Sequence, residues 1–314
     1  MQASKRKNCK QGRGFPALIM IKGAQTCAPT VREQLIRNLV RIRYLFFFIG
    51  FLLSFPQSTS AYSIIGIENN VGAGFPRPND DKGRADRAPT VLRVVFCPLH
   101  YENNADFLKD TGIMTRKLFQ VRPFSEFEGR IAFSYLELSP EEQSRIFKPV
   151  SAFPPLLARR DFIDGLSEKI GAVYKLVIID AKGGQTCAEL SRIDKASLLI
   201  IGRARYNSAN SFAKGFLHEL GHSLGLRDEF IDSAHNLEPG YPNCAVTKKE
   251  AQEWWGDLAG RDSRVNYISG CCGNRNYIRP TIASLMNDAD KAEDFGPVNE
   301  RYLREALIED KRNF

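Results

Sequence analysis

Two of the four histidines in this 314-residue chain, His218 and His222, lie four residues apart, and Glu219 directly follows the first. On an α-helix, positions i and i+4 share one face, so both imidazole rings can reach the same point. The polar stretch 207–210 offers N-cap residues for such a helix, which is predicted to run to about Leu224. The sequence therefore predicts that this helix carries the chemistry of the protein.

Two imidazoles on one helix face are typical ligands of Zn²⁺, with Glu219 beside the ion rather than bound to it. Such a carboxylate can take a proton from zinc-bound water, whose pKa the ion lowers to about 7. Gly225 permits the positive φ that ends a helix, and the turn would bring Asp228 back as third ligand, with Glu229 or Asp232 as alternatives. Chance predicts this His-Glu-x-x-His pattern about three times in a thousand such chains, which disfavours histidines that are merely packed.

Apolar, β-branched runs alternate with helical patterns before this helix. Strands are predicted at 90–99, 130–138, 174–180 and 197–204, and helices at about 103–119 and 155–170. This alternation predicts a mixed α/β (α+β) fold, and the chain length fits one large domain. We expect that domain to span 90–314, after an irregular lead-in at 62–89 rich in Gly, Pro, Asn and Asp.

Residues 1–61 have the order of a signal peptide with an unusually long N-terminal extension. Ten Lys or Arg precede or flank an apolar run at 44–55, which is shorter than the roughly 20 residues of a membrane span. Small residues follow, so we expect cleavage after Ala61, or after Ser60, and a secreted or periplasmic protein. The alternative is an uncleaved membrane anchor. Otherwise, we expect membrane contact only transiently, through the leader.

The positive charge of the chain lies in this leader. The whole chain has a formal charge of +8, whereas residues 62–314 alone have −1, because residues 1–61 contain ten basic residues and one acidic residue. Binding to a phosphate backbone depends on clustered cations, and the body of the chain has no basic stripe. We therefore expect no nucleic-acid partner.

Five cysteines remain after the predicted cleavage: Cys97, Cys187, Cys244, Cys271 and Cys272. The odd number leaves at least one thiol free or paired between chains. Because neighbouring Cys271 and Cys272 do not readily bond to each other, we expect Cys244 to form a disulfide with one of them. No Cys-x-x-Cys spacing occurs, which argues against a structural zinc ribbon.

Residues from about 195 to 290 resemble the IgA-peptidase-type metallopeptidases of the metzincin clan. The resemblance rests on HELGHSLGLRDEF at 218–230, YPNCA at 241–245, WWGDL at 254–258, GCC at 270–272 and YIRPTIASLM at 277–286. It implies a metzincin-like zincin, with a mixed twisted sheet and helices in an upper subdomain, an active-site helix, and an irregular lower subdomain with a Met-turn. Met286 would be the Met-turn methionine beneath the metal.

The sequence departs from the family pattern at two places. The acidic–Glu–aromatic trio of the family usually lies one residue farther from the second histidine than 228–230 does here. Many metzincins also place a tyrosine two residues after the Met-turn methionine, where this chain has Asp288, so Tyr267 and Tyr277 are the alternatives for that role.

Together, the motif and the resemblance predict a secreted zinc endopeptidase that hydrolyses protein or peptide substrates, with Glu219 as general base and Zn²⁺ held by His218, His222 and Asp228. An extended substrate would bind by strand addition at the sheet edge. Two alternatives remain: a zinc hydrolase acting on a non-peptide amide, and an exported binding module whose zinc site is not catalytic.

Overall fold

The computed structural model describes residues 63–66, 92–149, 156–158, 160–170, 173–231 and 237–308. All of them belong to one compact unit, Ser60–Phe314. The predicted leader and its cleavage sites, most of the predicted lead-in, and Asp232 lie outside the described residues. None of the helices in the described ranges combines the length and apolar character of a membrane span.

The described residues contain ten strands and six α-helices. The strands are β1 (Ser63–Gly66), β2 (Leu92–Leu99), β3 (Ile131–Glu137), β4 (Phe147–Pro149), β5 (Leu156–Ala158), β6 (Lys175–Asp180), β7 (Thr186–Ala188), β8 (Ser197–Gly202), β9 (Ile268–Cys271) and β10 (Asn274–Arg279). The helices are α1 (Asn104–Leu118), α2 (Pro140–Ile146), α3 (Arg160–Ile170), α4 (Ala209–Ser223), α5 (Lys248–Ala259) and α6 (Pro297–Ile308).

A six-stranded sheet in the order β1-β3-β2-β6-β8-β7 forms the centre. Its four inner strands run parallel to one another, and the edge strands β1 and β7 are antiparallel to their neighbours. Three of the inner strands, β2, β6 and β8, are nearly continuous apolar runs, as expected for parallel strands covered on both faces. The sheet ends at β7, which places this short strand next to α4.

Alternate residues of each inner strand belong to two separate cores, because successive side chains of a strand point to opposite faces. In β2, Val94 and Phe96 join the larger core, to which α1 and α4 contribute their apolar residues, whereas Val95 and Cys97 join the core beneath α3. Burial of each such side chain contributes about 1.5–3 kcal/mol. The larger core therefore fixes α4 against the sheet.

The chain after α4 contains little sheet. The β9–β10 hairpin is joined to the preceding segment by the Cys244–Cys271 disulfide, and α5 and α6 pack against each other around Trp255 and Val298. The disulfide confirms the expected pairing of Cys244 with one of the two neighbouring cysteines. Within the described ranges, the three remaining cysteines are free and buried: Cys97, Cys187 and Cys272.

The predicted mixed α/β architecture is confirmed, and all four predicted strands are present. Two local differences concern the ends of the sheet region. A strand, β1, lies in the stretch predicted to be irregular, where it pairs with β3. The helix predicted from 155 begins only at Arg160, because residues 156–158 instead pair with β4 as a short antiparallel strand.

Candidate metal centre

The local sequence explains where α4 begins and ends. Its N-terminus follows β8 closely, and the Ser208 side chain accepts a hydrogen bond from the Ser211 N–H, as an N-cap does. At the other end, Gly225 has φ +110°, its N–H donates to the His222 carbonyl, and the next N–H donates to Gly221. These two bonds form a Schellman motif, which a glycine at positive φ makes possible. The predicted turn at Gly225 is therefore present.

The side chains of His218, His222 and Asp228 converge at this turn. The two Nε2 atoms lie 3.1 Å apart, and each lies 3.2 Å from Asp228 Oδ1. His218 Nδ1 lies 2.8 Å from the Leu285 carbonyl oxygen and His222 Nδ1 lies 2.9 Å from that of Leu226. Because a carbonyl only accepts, each Nδ1 carries a proton, and in a neutral ring the Nε2 lone pair faces the other two atoms.

Three acceptor atoms this close repel one another unless a positive charge lies between them. Asp228 is buried, and its Oδ1 has no hydrogen-bond partner in the described part of the chain beyond its close approach to the two rings. Burial lowers the pKa of His218, but the close approach of Asp228 and the nearby Glu219 carboxylate raise it overall to about 9. These three side chains could hold a metal ion, whose positive charge would satisfy all three acceptor atoms.

Glu219 lies next to this triad in the wall of the same cleft. Only 7% of the surface of Glu219 is exposed, and its carboxylate makes no hydrogen bond with any described residue. Burial raises the pKa of Glu219 above its ordinary value, while His218 and His222 act in the opposite direction. A carboxylate without a partner and with an increased proton affinity is suited to accept a proton from a molecule bound in the cleft.

Glu229, an alternative third ligand, is fully buried and already occupied by hydrogen bonds. Its Oε1 accepts from the side-chain amides of Asn243 (2.9 Å) and Asn299 (2.8 Å), and its Oε2 accepts from the Ser284 hydroxyl (2.6 Å). Adjacent residues thus have separate environments: Asp228 contacts the histidines, and Glu229 contacts the protein interior. Asp232, the other alternative, is outside the described residues.

The segment 284–286 supports Glu229 and His218. Met286 is fully buried, its carbonyl accepts the Glu229 N–H at 2.8 Å, and the preceding Leu285 carbonyl orients His218. A Cβ at Gly221 would lie 2.6 Å from Met286 Sδ, so only glycine lets the methionine approach α4 this closely. The methionine lies against the helix face next to the histidines, where the resemblance places it; the family assignment itself stays a prediction.

A cleft of about 560 Å³ runs along α4 over these side chains. The edge strand β7 lies along one wall, and residues 287–290 form another part of the lining. Tyr267 and Tyr277 do not line it: the first packs against Trp255 and the second against the disulfide. Tyr206 does line it, packed so closely on Gly215 that no larger residue fits there. The sequence carries no local signal that identifies Tyr206.

Comparison with known proteins does not assign the chain to a family. A scan against protein-family models finds no match, and a search of curated proteins finds no significant match. The function of the site therefore has to be inferred from its geometry.

Proposed function

We propose that the protein is a zinc-dependent endopeptidase. The observation that carries the proposal is the convergence of two Nε2 atoms and one carboxylate oxygen at 3.1–3.2 Å from one another. Tetrahedral zinc with bonds of about 2.0–2.1 Å separates its ligand atoms by about 3.3–3.4 Å, close to this spacing. Two histidines and one carboxylate are also a ligand set of catalytic zinc sites, in which a fourth position stays open.

The proposed reaction uses residues already described. When bound, the ion supplies Lewis-acid chemistry to the carbonyl of the scissile bond. Glu219 removes a proton from the attacking water and returns it to the leaving amine, for which its raised pKa is favourable. The Leu285 and Leu226 carbonyls keep the two imidazoles in the required tautomer and orientation.

An extended peptide is the substrate shape that best fits the cleft. Strand β7 is the last strand of the sheet and lines the cleft, so its outer edge can pair with a substrate backbone. Such pairing recognises the main chain of any peptide, while the side-chain contacts determine preference. A small non-peptide amide would leave most of this wall unused, which favours the peptidase over the amidase alternative.

We also propose that the protein acts outside the cytoplasm, in a secreted or periplasmic form. The Cys244–Cys271 disulfide supports this location, because such bonds persist in oxidising compartments. The predicted signal peptide points the same way.

The purified protein and its Glu219→Gln variant test the proposed function. We expect about one zinc per chain in both by elemental analysis, and cleavage of unfolded casein by the wild type alone, abolished by a chelator and restored by zinc. Folded protein without zinc affinity would refute the metal site. Zinc in both proteins without turnover of peptides or amides would favour the binding module, whose ligand binding should survive Glu219→Ala.

A further inference from the structure

Two arginines line the cleft in addition to the residues of the proposed mechanism. Arg205 lies four residues before α4 begins, and Arg227 lies four residues after it ends, so they mark opposite ends of the helix. Neither guanidinium forms an ion pair or a hydrogen bond with another described residue, and Arg227 Nε is buried without a partner. Arg205 is exposed, so water can satisfy it, whereas Arg227 is half-buried, directly precedes Asp228 in sequence and lines the same cleft.

The backbone of Arg227 is held in place on both sides. The buried Asn243 side chain accepts from the Arg227 N–H and donates to the Arg227 carbonyl, both at 2.9 Å. The guanidinium lies against Gly240, where a Cβ would be 3.2 Å from both Nε and Nη2. An arginine whose backbone is fixed, and whose Nε is buried without a partner among the described residues, is preorganised for an anion that arrives from the cleft.

The other cleft groups that the structure describes around Arg227 do not pair with its guanidinium. Glu238 also lines the cleft but is exposed and forms no ion pair with Arg227 in the described residues. Leu190 and Leu237 line the cleft too, with 46% and 39% of their surfaces exposed, and can cover the apolar part of an acidic residue. The planar guanidinium fork matches a carboxylate, to which it can donate two parallel hydrogen bonds.

We propose that Arg227 is a specificity-determining residue that binds a carboxylate of the substrate next to the metal centre; this rests on the proposed peptidase function. The carboxylate comes either from an Asp or Glu side chain or from the C-terminus of the substrate. Both sources present the same two oxygens to the guanidinium, and matched peptides separate them.

Kinetics on fluorogenic peptides test the preference. In one series, each peptide carries either Glu or Gln at one of three positions on either side of the cleaved bond and has an amidated C-terminus. In a second series, the Gln peptides have a free C-terminal carboxylate. For wild type, one placement of the carboxylate should raise kcat/KM about 10- to 100-fold over its neutral match, the range expected for a hydrogen bond to a charged group. A benefit confined to the free C-terminus would identify the terminal carboxylate.

Variants assign the preference to one residue. Arg227→Gln should reduce kcat/KM for the preferred peptide to the level of its neutral match, both measured with the variant. Arg227→Lys should retain part of the preference. Arg205→Gln removes the same charge from the other end of the cleft and should leave the preference intact. Equal zinc content and equal Tm in all variants exclude a folding defect.

A binding measurement separates this inference from the proposed function. Zinc-loaded Glu219→Gln protein should bind the acidic peptide about tenfold more tightly than the neutral one by fluorescence anisotropy, and additional Arg227→Gln should abolish the difference. Cleavage by wild type with no preference above twofold would overturn the role of Arg227 and leave the peptidase standing. An Arg227-dependent binding preference without any turnover would instead support the role of Arg227 and overturn the proposed peptidase. The absence of both the preference and the turnover would overturn both proposals.

Discussion

Replacing Asp228 and Glu229 one at a time should separate metal binding from folding, although the two acids are neighbours. Asp228→Asn removes the anionic ligand but keeps the shape of the side chain. Because loss of an outer-shell partner alone lowers metal affinity about 10- to 100-fold, we expect at least about a 100-fold loss of zinc affinity for this direct ligand. Glu229→Gln, which does not face the histidines, should keep zinc affinity within about tenfold of wild type.

Stability should depend on the other acid: the free energy of unfolding should respond to the loss of Glu229. Glu229→Leu leaves four buried donors without this acceptor, on Asn243, Asn299, Ser284 and, at a longer 3.5 Å, Thr281. Each orphaned donor costs about 1–3 kcal/mol, but Leu also removes the cost of burying a carboxylate, which offsets part of the loss. We therefore expect the free energy of unfolding to fall by about 3–6 kcal/mol. Glu229→Gln should cost only about 1–2 kcal/mol, because its oxygen still accepts from both amides and its NH₂ can donate to the Ser284 hydroxyl.

Two measurements on the same set of variants test these values. Competition with a chromophoric chelator gives zinc affinity, and urea unfolding of the metal-free proteins gives the free energy of unfolding. Wild-type zinc affinity in Asp228→Asn would show that the third ligand lies elsewhere, with Asp232 the next candidate. An unchanged urea midpoint in Glu229→Leu would show that the buried carboxylate network does not support the fold.

Three further perturbations test other parts of the structure. Gly225→Ala should lower the free energy of unfolding by about 1–3 kcal/mol or more, because φ is +110° and the new Cβ would lie 2.4 Å from Tyr302 Oη; a variant as stable as wild type in urea would contradict the turn. Cys244→Ser opens a link across 27 residues and should cost about 3.5 kcal/mol, measured against the oxidised wild type; equal unfolding midpoints would contradict the disulfide. Burial lowers the pKa of Lys175 to about 7, so between about pH 7 and 10 the unfolded chain binds one proton more at this amine, and the Lys175 contribution to the free energy of unfolding should rise with pH. Burial also raises the pKa of three free thiols, which acts in the opposite direction above about pH 8.5 (Cys97, Cys187 and Cys272). The measurement is therefore the difference in free energy of unfolding between wild type and Lys175→Met, which should shift in favour of wild type as pH rises; a pH-independent difference would argue against a desolvated amine.

The parts of the fold that follow from local sequence patterns were predictable. The inner strands are long apolar runs whose character does not depend on their partners, and α4 has an N-cap, apolar periodicity and Gly225 at its end. Strand β7 was missed because three residues give no readable period, and only its pairing with β8 makes it a strand. The strand at 156–158 was missed for the same reason.

The supporting contacts of the site were not predictable, because they join residues far apart in sequence. The carbonyl that orients His218 belongs to Leu285, 67 residues later, and the amide that holds Arg227 belongs to Asn243, 16 residues later. No spacing rule identifies such partners. The choice of Asp228 rather than Glu229 as third ligand could not be decided from sequence for the same reason. Both are acidic residues in one turn, and only their burial and hydrogen-bond partners distinguish them.

The hydrogen bonds around Glu229 show why the candidate metal centre needs the whole of the chain after α4. Donors to this one carboxylate come from the segment before α5 (Asn243), from the segment containing Met286 (Ser284), and from α6 (Asn299). Because Glu229 is covalently joined to Asp228, fixing its position also fixes the candidate ligand opposite the two histidines. The free energy of metal binding should therefore be coupled to the packing of these three segments, none of which supplies the third ligand. A variant that loosens Asn299 in α6, such as Asn299→Ala, should then weaken zinc binding without touching the metal, but by less than the roughly tenfold lower limit for an outer-shell partner, because Asn299 contacts Glu229 and not a candidate ligand.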